Sequence, residues 1–310
     1  MVLPVRSIDT FIHGKCEEVL KEYPSESIDF IITSPPYADQ RFYGDSDSKI
    51  KPEDYVEWFM PKAEELFRVL KEGGSFVLNI NDKVVNGKTE LYVYELVLKL
   101  CRDIGFNLVR DYIWHNPATP PNVFSRGNLG RCKKSHEYCY WFSKGDSWTF
   151  NMDAIRTPYK KGMNRLFIGK GGGDTDYNRP SGHHFCTSKK WEDHGGADPG
   201  TVLTISNSQS NDAFTRWCRE CGRAHPARFP EKLVEFFILA GTHEGDIVLD
   251  PFSGSGTSAV VAARHHRHWI GIDTNAEYID MSYVRLNMNQ IHDHAQNKEM
   301  ILNVLEPQER

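Results

Sequence analysis

The chain is 310 residues long, 39% hydrophobic and 25% charged, enough apolar surface for a sizeable core, which excludes a mostly disordered protein and a disulfide miniature. No apolar run reaches the ~20 residues of a membrane span, the N-terminus does not read as a secretory leader, and seven scattered cysteines fit a reducing compartment better than a disulfide framework. The net charge of −5 argues against nucleic-acid binding through the whole surface, yet residues 110–191 hold 14 Lys+Arg against 6 Asp+Glu, so a local polyanion-binding face is expected within an acidic protein.

The first third reads as α/β. Residues 27–33 are a short apolar run stopped by Pro35-Pro36, a buried strand ending in a rigid turn. Over 53–70, Tyr55, Trp58, Phe59, Ala63, Leu66, Phe67 and Leu70 recur at helical spacing; Pro61 is expected to kink this helix and Gly73-Gly74 to end it. A strand over 75–80, a helix over 90–104 closed by Gly105 and a strand over 107–114 follow. From about 115 to 225 prolines and glycine runs such as Gly169–Gly173 break any long element, and only 135–142 reads as a strand. Order returns with a helix over 231–243 behind Pro230, a strand over 246–250, a helix over 257–266, a strand over 268–273 and a helix over 275–291. That alternation implies a parallel sheet with helices on both faces. A short docking helix is expected near Ile301–Leu305.

Asp250-Pro-Phe252-Ser-Gly254-Ser255-Gly256-Thr257 lies between a strand and a helix, where glycines let the backbone approach a ligand and the helix N-terminus favours a negative group. Asp273 ends the next strand, placed to accept hydrogen bonds from both hydroxyls of a ribose, so the unit reads as an adenosine-binding one. Gly254-x-Gly256-x-x-Ala259 also satisfies the dinucleotide fingerprint, but too little chain follows Asp273 for the further strands of a dinucleotide fold. The N-terminal strands are therefore expected to complete the sheet. Thr33-Ser34-Pro35-Pro36-Tyr37 follows a buried strand at a carboxyl edge, where open α/β sheets place their sites. The prolines fix φ and remove two N–H donors, leaving carbonyls beside a hydroxyl and an aromatic face. That group suits a planar ring with an exocyclic amine: the amine donates to Ser34 Oγ and the Pro35 carbonyl while Tyr37 stacks on the ring.

With these two motifs in this order, flanking a basic insertion, the chain resembles the β-class amino-group (cytosine-N4 or adenine-N6) site-specific DNA methyltransferases of restriction-modification type. The resemblance covers about 8–114 and 224–290 and includes Leu70–Gly74 and His225-Pro-Ala-Arg-Phe229-Pro230-Glu-Lys232-Leu. It implies a permuted Rossmann-like fold built as a catalytic half (1–114), a target-recognition region (115–225) and a cofactor half (226–310). It implies S-adenosylmethionine as methyl donor and Ser34, Pro35, Pro36 and Tyr37 as the catalytic turn. Asp250, Phe252, Gly254, Ser255, Gly256, Thr257 and Asp273, with Phe229, Pro230 and Lys232, would hold the cofactor. Arg126, Arg131, Lys133, Lys160 and Lys161 are assigned to double-stranded DNA. A cognate restriction endonuclease, a homodimer and a prokaryotic cytoplasm are further implications. One position departs from the family pattern: Lys15 stands where an acid is usual.

The chemistry expected is direct transfer to an amine whose lone pair is delocalised into the ring, so orientation and electrostatics carry the work. Methylation at cytosine C5 needs a thiolate, which the related enzymes carry in a Pro-Cys pair; none of the 16 prolines precedes a cysteine. Ser in the first motif position associates with cytosine N4 in the family, but a hydroxyl both donates and accepts, so adenine N6 stays open. A nicotinamide oxidoreductase, a silent DNA-binding relative, and an RNA or protein methyltransferase are the competing classes. Cys218-x-x-Cys221 with His225 is half of a zinc pattern, and no metal is assigned.

Overall fold

The computed structural model describes residues 8–38, 50–119, 132–159, 193–207, 212–223 and 228–289, with the backbone of 177–178 and 184–185. Two compact units are present: Met1–Phe150 with Thr201–Arg310, and Asn151–Gly200.

In the larger unit the strands are β1 Thr10–His13, β2 Ile28–Thr33, β3 Leu70–Ile80, the ribbon β4 Val84–Val85 with β5 Lys88–Thr89, β6 Asn107–His115 and β7 His136–Ser143. The smaller unit holds the ribbon of β8 Tyr177–Asn178 and β9 His184–Phe185, and the Thr157–Ala197 bridge. β10 Val202–Thr204, β11 Ile247–Asp250 and β12 His268–Asp273 return to the larger unit. Its helices are α1 Cys16–Val19, α2 Tyr55–Val69, α3 Tyr92–Lys99, α4 Ala213–Glu220, α5 Glu231–Gly241, α6 Thr257–Arg264 and α7 over 276–289.

Eight strands form one sheet in the order β1-β12-β11-β2-β3-β7-β6-β10. The late strand β11 lies directly beside the early strand β2, so the N-terminal strands do complete the sheet. The expectation of a parallel sheet needs one correction: β7 runs antiparallel between β3 and β6. Its reversal brings its amino end, His136-Glu137, to the edge where β2, β3, β11 and β12 present their carboxyl ends. α1 with the turn that follows it, α2 and α3 pack on one face through Leu20, Tyr55, Phe59, Leu66 and Leu96 against Ile31, Phe76, Leu78 and Ile270. On the other face Phe237 of α5 meets Tyr112 and Trp141 at ring separations of 5.3 and 5.9 Å.

Pro61 lies inside α2, with buried Tyr55 and Phe59 before it and Ala63, Leu66 and Val69 after it. Gly73-Gly74 does not end the helix. The helix stops at Val69, and both glycines lie inside β3, where the register to β2 shifts. A Cβ on Gly74 would sit 2.7 Å from Leu70 Cδ1 and 2.9 Å from the Asp29 carbonyl, so the glycine marks a close approach rather than a stop. β1, β10 and α4 went unread in the sequence, being short and set among turn residues. The glycine run 169–173 and the docking helix near 301–305 lie outside the described residues, among which no helix is long and apolar enough to cross a membrane.

Candidate functional site

Sheet order dictates where the site falls. The chain reverses its direction of travel across the sheet between β11 and β2, and the crevice outside the carboxyl ends at such a switch point is where open α/β sheets bind ligands. The Ser34 turn leaves β2 there and the glycine loop leaves β11. The buried Asp250 ties them together: Oδ1 accepts from Thr33 Oγ1 (2.7 Å) and the Phe252 amide (3.1 Å), and Oδ2 from Ser258 Oγ (2.6 Å). Full burial pushes this carboxyl up to about 6 against the pull of those three donors. Asp250 thus sits beneath the loop and does not line the cleft.

The cleft is open on one side, with about 770 Å³ of space in and before it that includes open solvent. It brings together Ser34, Pro36, Phe229, Phe252, Gly254, Ser255, Thr257 and Asp273 from the expected set. Asp273 Oδ2 accepts the Gly254 amide at 2.7 Å and Oδ1 the Asn275 amide at 2.9 Å, so the acid also shapes the loop beside it. Gly256 caps α6 at φ +73°; a Cβ there would lie 2.9 Å from Phe11 Cζ and from Ser282 Cβ. Behind the loop Arg285 donates to Thr257 Oγ1 (2.7 Å) and to Glu231 Oε1 (2.8 Å), and Glu231 also takes Arg264 at 2.8 Å. Burial pushes the Glu231 carboxyl up, but the two guanidiniums outweigh it and hold it below the usual range.

Several expected residues stand elsewhere. Gly256 and Pro230, the residue before α5, shape the backbone without lining the cleft. Lys232 is exposed on α5, because the next two positions, Leu233 and Val234, are the ones turned to the core. Lys133 is exposed and donates to the Thr119 carbonyl at 3.0 Å. Arg126, Arg131, Lys160 and Lys161 lie outside the described residues. Cys218 is buried against Phe214, Tyr278 and Met281, Cys221 is exposed, and His225 lies outside the described residues.

The Ser-Pro-Pro-Tyr turn is more tightly held than its sequence suggests. Tyr37 is only 9% exposed, and its hydroxyl lies 3.1 Å from Ser34 Oγ, 3.1 Å from Asn79 Oδ1 and 2.6 Å from Glu137 Oε2. Tyr55 donates to the Pro36 carbonyl at 2.9 Å. The Pro35 carbonyl accepts no hydrogen bond from a described residue.

Sequence reading missed part of the wall: Cys16, Glu17, Lys62, Arg228, Ser253 and Tyr278. Lys62 lies on α2 with its side chain 5% exposed, bonded to Glu17 Oε1 (3.0 Å) and 4.3 Å above the Trp58 ring. Burial pushes Glu17 up, but its own amide and the Lys62 ammonium hold it below the usual carboxylate range. A lysine on a helix reads as solvated until its partner is known. Lys15 also lines the cleft, so an acid, Glu17, does stand in this wall two residues past the departure from the family pattern.

A profile of the family described as DNA methylase matches residues 28–284. The type II methyltransferase M.PvuII of Proteus hauseri is 35% identical over 287 residues, covering 90% of this chain and 84% of its own length. A solved structure of PvuII DNA methyltransferase, described as cytosine-N4-specific, superposes with a TM-score of 0.68 at 30% identity, over 89% of this chain and 85% of that one. The DNA adenine methyltransferase YhdJ of Escherichia coli K12 is 29% identical over 280 residues, covering 90% of this chain and 83% of its own. The eight-stranded sheet with its flanking helices is that of a methyltransferase domain. The chain belongs to the N6/N4 family of DNA methylases, enzymes that draw their methyl group from S-adenosylmethionine. The cleft wall suits that donor. Beside the Asp273 carboxylate, its residues include two buried polar atoms with no partner among the described residues, Ser253 Oγ and Arg228 Nη1.

Proposed function

We propose that the protein transfers a methyl group to the exocyclic N4 amine of a cytosine flipped out of double-stranded DNA. The observation that carries this reading is the meeting of Ser34 with Gly254 and Asp273 in a single cleft at the switch point. Asp273 takes the ribose hydroxyls, the loop from Phe252 to Thr257 encloses the nucleoside, and Phe229 closes the wall. When bound, S-adenosylmethionine supplies the methyl as an electrophilic carbon on a sulfonium. Ser34 Oγ and the Pro35 carbonyl accept from the amine, favouring a pyramidal nitrogen with its lone pair restored, and the Tyr37 ring borders the base. Extruding the base costs a few kcal/mol, offset by phosphate contacts from Arg126, Arg131, Lys133, Lys160 and Lys161 in a target-recognition region over 115–225, set between catalytic (1–114) and cofactor (226–310) halves.

Cytosine is preferred because the 35% identical relative is PvuII methyltransferase, whose structure is described as cytosine-N4-specific. Adenine N6 is the second reading, favoured by the similarity to YhdJ. A prokaryotic cytoplasm, a homodimer and a restriction endonuclease cutting the same site complete the proposal. The test is radiolabelled methyl transfer onto DNA, RNA and protein, followed by nucleoside analysis of the product. N4-methylcytosine is expected; N6-methyladenine overturns the base assignment, and label confined to RNA or protein overturns the substrate.

A further inference from the structure

Tyr37 is held by a carboxylate from a strand that the sheet reverses. Glu137, at the amino end of β7, accepts from the Tyr37 hydroxyl at 2.6 Å, and Tyr37 in turn lies 3.1 Å from Ser34 Oγ, which lines the cleft. Asn79 on β3 steadies the carboxylate through Nδ2 at 3.4 Å and donates to the Tyr138 carbonyl at 3.1 Å. A phenol has one proton. The charge-assisted bond at 2.6 Å claims it over the neutral Asn79 oxygen at 3.1 Å. Tyr37 then meets Ser34 with a lone pair, so the Ser34 proton points to Tyr37 and the Ser34 lone pairs are left facing the cleft. The two-way character of a serine hydroxyl is thereby resolved: it is an acceptor, the partner an exocyclic amine requires and a bare ring nitrogen does not.

Resting on the reading that an exocyclic amine of DNA is methylated, we propose that Glu137 is a positioning residue for methyl transfer, fixing the direction of a Ser34–Tyr37–Glu137 hydrogen-bond chain and receiving through it the proton the amine must lose. The balance is complete within the chain. The nitrogen lone pair forms the bond to the methyl carbon as the sulfur–methyl bond breaks and its electron pair returns to sulfur. The nitrogen then holds one surplus proton. That proton passes to Ser34 Oγ, the Ser34 proton to Tyr37 Oη, and the Tyr37 proton to Glu137 Oε2. The methylated amine ends neutral, both hydroxyls are regenerated, and the protonated Glu137 returns its proton to water. The chain serves cytosine and adenine alike, since both present an amine.

The test uses the full chain with S-adenosylmethionine and methylatable DNA. Glu137→Gln keeps an oxygen toward Tyr37 but removes the charge, and Tyr37→Phe cuts the chain while keeping the ring. Each is expected to slow single-turnover methylation about 100-fold, the scale of a lost acid–base contribution. Equilibrium affinities for the cofactor and for DNA should stay within twofold, and each variant should remain folded at the assay temperature, with the fall in melting temperature limited to that of one lost buried hydrogen bond. The double variant should be no slower than either single one, because both break the same path. Full-speed chemistry in either single variant overturns the proposal, as does a double variant whose losses multiply. A loss that falls on affinity or melting while the chemical step keeps its rate overturns it too, by giving Glu137 a structural part only. A wild-type protein that labels no DNA amine overturns the functional reading and this proposal with it; a wild type that labels DNA beside variants of full speed overturns the relay alone.

Discussion

Glu231→Gln is the sharpest test of how the glycine loop is held. Arg285 is 1% exposed at its side chain, and Glu231 Oε1, 2.8 Å away, is its counter-charge. The same guanidinium donates to Thr257 Oγ1 at 2.7 Å and lies 3.3 Å from the Ser255 carbonyl, so the ion pair fixes two residues of the cleft. Removing the carboxylate charge takes away the ion-pair partner of a buried cation, which costs about 3–5 kcal/mol, with the Asp212 carboxylate left to act on it from further off. Gln preserves the shape and one acceptor oxygen, so the effect isolates charge from packing. With a urea m-value near ~3 kcal/mol/M, the unfolding midpoint should fall by about 1–1.7 M. The double variant Glu231→Leu/Arg285→Leu removes both charges and should recover most of that loss, because replacing a whole buried pair by apolar side chains is often close to neutral. Urea unfolding followed by circular dichroism gives all the midpoints. A shift below about 0.3 M in Glu231→Gln, or a double variant as unstable as the summed singles, would falsify the claim that this pair underpins the loop.

Gly256→Ala must force a side chain to φ +73° and into Phe11 and Ser282, and should lose at least ~2 kcal/mol, whereas Gly87→Ala, at φ +76° with nothing within 4 Å, should lose only the ~1 kcal/mol of left-handed backbone; equal melting shifts would sink the steric account. Asp273→Ala should weaken S-adenosylmethionine about tenfold, ~1.4 kcal/mol, by calorimetry, and unchanged affinity in a folded variant removes Asp273 from the site. Asp250 is raised from 3.8 to about 6, so its folded-state proton is the tighter one; its contribution is full below about pH 4 and is lost as pH rises through 6. Asp250→Asn, which cannot ionise, should show a flatter stability profile between pH 4 and 7 and be the more stable form at pH 7, by about 3 kcal/mol at most; parallel profiles for the two proteins would refute the shift. DNA affinity should fall steeply with salt, and Lys160→Ala/Lys161→Ala or Arg131→Ala/Lys133→Ala should flatten the slope; two unchanged slopes would move the DNA path elsewhere.

Most of the site's parts were legible one at a time. Apolar runs stopped by turn residues marked β2 and β11, and the chemistry of Ser34, of the glycines after Asp250 and of Asp273 followed from residue type and position at strand ends. Those are local properties, set by backbone sterics and hydrogen-bonding capacity within a few residues. Helical periodicity likewise placed α2, α3 and α5, whereas Gly73-Gly74 misled, because a glycine that admits a neighbouring strand looks in sequence like one that ends a helix.

What joined the parts was decided only by long-range pairing. No local rule says that β11 lies beside β2, that Asp250 is the acceptor for Thr33 across 217 residues, or that Lys62 is buried against Glu17. Nor does any local rule reverse β7, which is what carries Glu137 to the Tyr37 hydroxyl across 100 residues. The physical reason is that a buried polar group must find its partner wherever the packed sheet brings one within hydrogen-bond reach, and sheet order is a property of the whole chain. The amino-acid sequence alone marked which residues have the hydrogen-bonding and aromatic groups of a candidate site; the tertiary structure decided which of them touch.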